Sequence, residues 1–105
     1  MEFVETPTFT RLVLELMEDD DYAKLQASLA RRPDTGRIIP GSGGIRKMRW
    51  AGSGRGKRGG LRIIYYWQVA DKRIWMLLVY PKSERDDLTR DEIKQLKRLV
   101  EQFKS

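Results

Sequence analysis

Apolar residues recur along this chain with two different periods, and the changes of period divide it into elements. Glu2-Phe3-Val4-Glu5-Thr6 alternates briefly, which predicts a short strand ahead of Pro7. From Thr10 onward, Leu12, Val13, Leu16 and Met17 recur at helical spacing. A second helix opens on the three acids Asp19 to Asp21, which suit the positive end of a helix macrodipole. Its apolar face is Tyr22, Leu25 and Leu29; Arg31 and Arg32 suit its C-terminal end, and Pro33 stops it.

The period then shortens to two. After a turn-rich stretch from Pro33 to Gly44, Ile45 to Trp50 reads as a strand, with Met48 and Trp50 on one face and Lys47 and Arg49 on the other. Leu61 to Val69 and Ile74 to Tyr80 are apolar on both faces and joined by a turn at Asp71-Lys72-Arg73, which predicts a central hairpin with helices covering at least one face. Trp50, Trp67 and Trp75 are read as core residues from their apolar neighbours. Thr89-Arg90-Asp91-Glu92 fits a capping box, and Ile93, Leu96, Leu99, Val100 and Phe103 form one stripe of a final helix. The order is β-α-α-β-β-β-α. The prediction is a single α+β domain over residues 1–105, with an antiparallel sheet, two N-terminal helices and a C-terminal helix.

Charge adds what the apolar pattern lacks. All nine glycines lie between Thr35 and Ala70, a window with eight Lys and Arg and no Asp or Glu. Its charge is +8, while the remaining 69 residues sum to −2. Cations gathered where small residues let the backbone approach a ligand suit a phosphate-bearing partner, because neutralised phosphates release condensed counterions.

Composition narrows the chemistry. With no Cys, disulfides, thiolate catalysis and thiolate zinc sites are excluded. With no His, proton transfer must use carboxylates, Lys or Tyr, or catalysis must rest on positioning and charge stabilisation. A metal site would need carboxylates and the basic window holds none, so no metal is expected; no cofactor is expected either. The longest apolar run, Ile74 to Tyr80, is too short to span a membrane, and the N-terminus lacks the pattern of a signal peptide. A cytoplasmic protein is the expectation.

Gly56-Lys57-Arg58 has the look of a phosphate-binding loop, but that motif needs Ser or Thr after the Lys and a helix beyond it; Arg58 and a strand follow here. A different constellation spans three strands. Lys47 and Arg49 share a strand face, Arg62 begins the next strand, and Tyr80 and Lys82 end the one after it. If those strands are neighbours, the five converge on one patch roofed by the loop carrying Arg55, Lys57 and Arg58. Arg forks match phosphate oxygens, Lys supplies a compact charge, and Tyr stacks on a base or moves a proton. Such a patch could clamp an RNA phosphate and stabilise the charge that grows as a 2′-hydroxyl attacks it.

Three runs now carry a family resemblance. Gly41-x-Gly43-Gly44-Ile45-Arg46-Lys47-x-Arg49, then Gly54-x-Gly56-Lys57-Arg58-Gly59-Gly60-x-Arg62-x-Ile64-Tyr65-Tyr66, then Tyr80-x-Lys82 closing on Asp87-Leu88, together resemble the HigB branch of RelE-like bacterial toxins. The resemblance implies a toxin of a type II toxin–antitoxin pair: a ribosome-dependent mRNA endoribonuclease acting by metal-independent 2′-hydroxyl attack. Its implied partners are a cognate antitoxin of helix-turn-helix type, the ribosome and mRNA, with operator DNA reached only through the antitoxin complex. The catalytic candidates it implies are Lys47, Arg49, Lys57, Arg62, Tyr80 and Lys82, with Arg46, Arg55 and Arg58 as RNA-binding residues. The RelE type also has an Arg and then a Tyr after its last strand, where this chain reads Ser83 and Thr89; Lys57, Arg58 or Tyr80 are the substitutes. Two other readings stand beside this one: a non-catalytic RNA- or DNA-binding module, and a ParE-like inhibitor of DNA gyrase.

Overall fold

The centre of the molecule is the predicted hairpin. In the computed structural model, which describes residues 1–51 and 60–104, β4 (Leu61–Gln68) and β5 (Arg73–Pro81) pair antiparallel along their whole length. β3 (Ile45–Trp50) lies antiparallel on the other side of β4, and a two-residue strand, β2 (Arg37–Ile38), lies antiparallel to β3. β1 (Glu2–Glu5) completes the sheet in the order β1-β5-β4-β3-β2.

The α+β class holds, with two differences from the expected sheet. First, β1 runs parallel to β5, so the five-stranded sheet is mixed and its antiparallel part is limited to four strands. A parallel neighbour must be reached by a crossover, and the chain supplies one in α1 (Pro7–Leu16) and α2 (Asp19–Arg31). Thr6 fixes the junction: its amide donates to Met76 O at 3.0 Å, and its hydroxyl donates to Leu77 O at 2.9 Å. The same Oγ1 accepts the Phe9 amide at 3.0 Å as the N-cap of α1, with Pro7 in the first turn. Second, β2 lies inside the stretch read as turns.

Side-chain alternation on β4 sorts the core into two layers. Leu61, Ile63 and Tyr65 meet Phe9, Val13, Leu25 and Leu29 of α1 and α2. Ile64 and Tyr66 face the other way, toward Val100, Leu96, Leu99 and Phe103 of α3 (Arg90–Lys104). Both faces are thus covered by helices, as two-sided apolar strands require. Burying each of these side chains contributes about 1.5–3 kcal/mol. Polar atoms within the layers are matched. The Tyr65 hydroxyl donates to Pro33 O at 2.8 Å and accepts from the Gly36 amide at 2.8 Å, and Trp50 Nε1 donates to Asp21 Oδ2 at 3.2 Å.

β5 breaks the alternation. Its register against β4 shifts between Ile64 and Tyr65, where Leu78 and Met76 are the partners and Leu77 is the extra residue. Leu77 and Leu78 consequently both lie in the α3 layer, whereas Ile74, Met76 and Val79 lie in the other. A bulge adds one residue and re-aims every side chain beyond it. Here it carries Tyr80 to the α3 face.

α3 covers only part of that face. Its C-terminal end is fastened where Phe103 stacks on Trp75 at 3.6 Å and 11°. Gln68 ties the same pair, accepting from Trp75 Nε1 at 2.8 Å and donating to Phe103 O at 3.1 Å. The N-terminal end is closed by the expected capping box: the Glu92 amide donates to Thr89 Oγ1 at 3.1 Å and the Thr89 amide to Glu92 Oε1 at 2.8 Å. The end of the sheet holding Arg49, Arg62 and Tyr80 is left to the segment between β5 and α3.

Candidate phosphate-binding cleft

Register brings three strands' polar residues into one row. Arg49 lies opposite Arg62, and Arg62 lies opposite Tyr80. One step along the ladder, Lys47 stands between Arg37 and Ile64. Lys47, Arg49 and Arg62 of this row line a cleft of about 620 Å³ bounded also by Thr35, Arg37 and Ile39, with Asp86 and Asp87 on its far side; Tyr80 adjoins it behind Arg62.

Burial grades the cations. Arg62 is 3 % exposed and forms the floor. Lys47 is half-buried and Arg49 is exposed toward the mouth. Two arginines directly opposite in a ladder repel, and a buried guanidinium must be paired or it destabilises the fold by several kcal/mol. Such an arrangement is suited to receiving an anion. Part of the compensation comes from the protein. The Arg62 guanidinium lies 3.8 Å from an Asp86 carboxylate oxygen and donates to Leu61 O at 3.4 Å, and Lys47 Nζ pairs with Asp87.

Tyr80 is held on the same side. Its hydroxyl donates to Asp86 O at 3.2 Å, and the Arg85 guanidinium sits 4.5 Å above its ring. Burial pushes the Tyr80 phenol above the usual tyrosine range; Arg85 and Arg62 oppose that shift, and Asp87 and Asp86 add to it. The phenol therefore stays protonated at neutral pH and serves as a hydrogen-bond donor, not a base. Hydrogen bonding and attraction from Lys47 hold the Asp87 carboxyl below its usual range.

Of the residues proposed from sequence, Lys47, Arg49, Arg62 and Tyr80 come together. Arg46 does not join them. It lies on the opposite face of β3, pairs in register with Tyr65, and donates to Gly36 O at 2.7 Å and Asp34 O at 3.1 Å. Lys82 is exposed just past the end of β5, and its amide donates to Gly60 O at 3.1 Å; it does not line the cleft. Arg55, Lys57 and Arg58 fall outside the described residues. Gly60, where the chain re-enters the sheet, has φ +69°, and a Cβ there would stand 2.5 Å from Trp50 O, so only glycine fits.

Sequence reasoning missed Arg37, Arg85 and the acidic pair. Arg37 sits within a run of turn residues with no periodicity to place it. Asp86 and Asp87 could have drawn notice as acids following a strand that ends in Tyr80, but only the folded segment sets them against Lys47 and Arg62. Among the described residues, no group of three or more acids is arranged to hold a metal ion, and no helix is long and apolar enough to cross a membrane.

The fold is thus a mixed α+β sheet with a cationic cleft at one end. The family described as the RelE toxin of the RelE/RelB toxin–antitoxin system matches residues 23–105, which run from α2 through α3 and include every cleft residue. The chain belongs to this RelE toxin family. It is the toxin of a toxin–antitoxin pair, and an antitoxin is its partner.

Proposed function

We propose that the protein is a cytoplasmic, translation-inhibiting endoribonuclease of the HigB-like branch, which cuts mRNA on the ribosome. The observation that carries this reading is Arg62, a guanidinium buried at the floor of a cleft beside Lys47 and Arg49. Attack of a ribose 2′-hydroxyl on the adjacent phosphorus places extra negative charge on the non-bridging oxygens. Arg62 and Lys47 would bind those oxygens, and a preorganised donor of this kind is worth about 10²–10³ in rate. Arg49 and Arg37 would hold the neighbouring phosphates.

Tyr80, kept protonated by its burial, would exchange its bond to the Asp86 carbonyl for one donated toward the reacting phosphate or leaving oxygen. From sequence we assign Lys57 to catalysis and Arg55 and Arg58 to RNA binding, and Lys82 and Arg46 would contact RNA further from the break. No cofactor is assigned a role. The antitoxin, of helix-turn-helix type, would neutralise the cationic cleft and carry the complex to operator DNA.

The test is to add the purified protein to a reconstituted translation reaction and map mRNA ends, with and without ribosomes. Fragments with 2′,3′-cyclic phosphate ends, produced only with ribosomes, are the expected result. Intact message with ribosomes bound would leave a binding module. Intact message with DNA gyrase inhibited would transfer the activity to the ParE type.

A further inference from the structure

An acidic pair inside a cleft for anions needs an explanation. Asp86 and Asp87 line the same cleft as Arg37, Lys47, Arg49 and Arg62. They engage its two inner cations, Arg62 and Lys47, and leave Arg37 and Arg49 at the mouth. We propose that Asp86 and Asp87 are a built-in counter-anion that occupies the inner cations until an incoming phosphate displaces it. This rests on reading the cleft as a phosphate site.

The two partners differ in what separation costs them. Arg62 is buried, so leaving it without an anion would cost several kcal/mol. The Asp86 and Asp87 side chains are 66 % and 73 % exposed, so they can rotate into water without burying a charge. Exposed carboxylates in such pairs bind weakly and exchange readily. An anion thus covers Arg62 in both states, a carboxylate at rest and a phosphate at work.

The segment is also held from behind so that it presents these acids. Tyr80 donates to the Asp86 carbonyl at 3.2 Å. Arg85 lies over the Tyr80 ring and donates to both Glu92 carboxylate oxygens, at 2.6 and 2.7 Å. Glu92 in turn belongs to the α3 capping box. The backbone that carries the two acids is thus tied to Tyr80 and α3, while their side chains stay free to turn. Free protein would then bind phosphates poorly, and a substrate already placed by the ribosome would overcome the exchange.

The test uses inorganic pyrophosphate as probe and isothermal titration calorimetry on the full chain. Asp86→Asn/Asp87→Asn should bind about tenfold more tightly than wild type, the combined effect of removing two exposed carboxylates that compete for the cations. Asp71→Asn/Glu101→Gln removes the same charge elsewhere on the surface and should tighten binding by less than about twofold. Asp87→Asn alone leaves Arg62 its carboxylate and should still tighten binding measurably, should the double variant lose its fold. Equal tightening by both double variants, unchanged or weaker binding by the cleft variants, or no binding by any protein would overturn the proposal. Tighter pyrophosphate binding without mRNA cleavage by any variant would sink the nuclease reading and leave this one standing.

Discussion

Arg62 and Tyr80 are direct partners across the β4–β5 ladder, and they share a face because β5 carries an extra residue at Leu77. If the same sequence paired as a regular strand with no bulge, Tyr80 would follow Ile74 and Met76 into the α1–α2 layer. The bulge therefore couples the core to the cleft.

Replacing Tyr80 by Phe isolates the hydroxyl, whose described partner is the Asp86 carbonyl at 3.2 Å. Loss of that one bond should cost about 1 kcal/mol, or roughly 4–8 °C in Tm. If the phenol donates to the reacting phosphate, cleavage should fall by about 10²-fold or more while the melting temperature moves only this far. Thermal unfolding and single-turnover cleavage on the same sample separate the two effects.

Gly60 and Gly41 offer a matched comparison. Both have positive φ, +69° and +73°, but a Cβ at Gly60 meets Trp50 O at 2.5 Å whereas one at Gly41 meets nothing within 4 Å. Gly41→Ala should cost about 1 kcal/mol, from conformation alone. Gly60→Ala adds a backbone clash and should lose about 3 kcal/mol or more. Chemical denaturation reads both, and equal losses would contradict the steric account.

The acid side of the pH profile follows from Asp87. Its folded-state pKa lies below the ordinary value of 3.8, because Lys47 binds the ionised form. The pairing's contribution is present above that ordinary value and is lost as pH falls through the lower, folded one. Glu92 behaves alike: burial raises its pKa, but the Arg85 and Thr89 hydrogen bonds outweigh burial and the net shift is downward from 4.5. Carboxyl carbon NMR should show Asp87 titrating below the ordinary range in wild type and moving up in Lys47→Met. No movement would mean that the pair does not persist in solution.

Phe103 holds the end of α3 against Trp75. It is half-buried, so Phe103→Ala should cost about 2 kcal/mol, less than a full core truncation. Trp75 loses its stacked cover, so its fluorescence should shift to the red. Because the cleft lies at the other end of the helix, pyrophosphate binding should change little.

Much of the fold was legible where periodicity is strong. The two-sided apolarity of Leu61–Gln68 and the stripe from Ile93 to Phe103 announce a central strand and a covering helix, and Thr89 and Glu92 mark where that helix starts. The parallel pairing of β1 was not legible, since its partner lies about seventy residues away and Phe3 and Val4 carry no sign of strand direction. Arg37 and Ile38 are too short a run to show a period. Ile74 to Tyr80 is apolar throughout, so nothing in it reveals that Leu77 shifts the alternation. At the cleft, Lys47, Arg49 and Arg62 were legible as strand positions, as was Tyr80 beside it. Asp86 and Asp87 were not, because a loop's side-chain contacts depend on the surfaces it closes against.

The central claim is that Arg62 acts on the transition state. The direct measurement is single-turnover mRNA cleavage on programmed ribosomes, alongside ribosome affinity by cosedimentation, for wild type, Arg62→Lys and Arg62→Ala. Circular dichroism checks each fold, and Arg62→Lys keeps the buried charge. The prediction is a cleavage rate reduced at least about 100-fold with ribosome affinity changed by less than about threefold. Rate and affinity falling together, or a rate left unchanged, would contradict it.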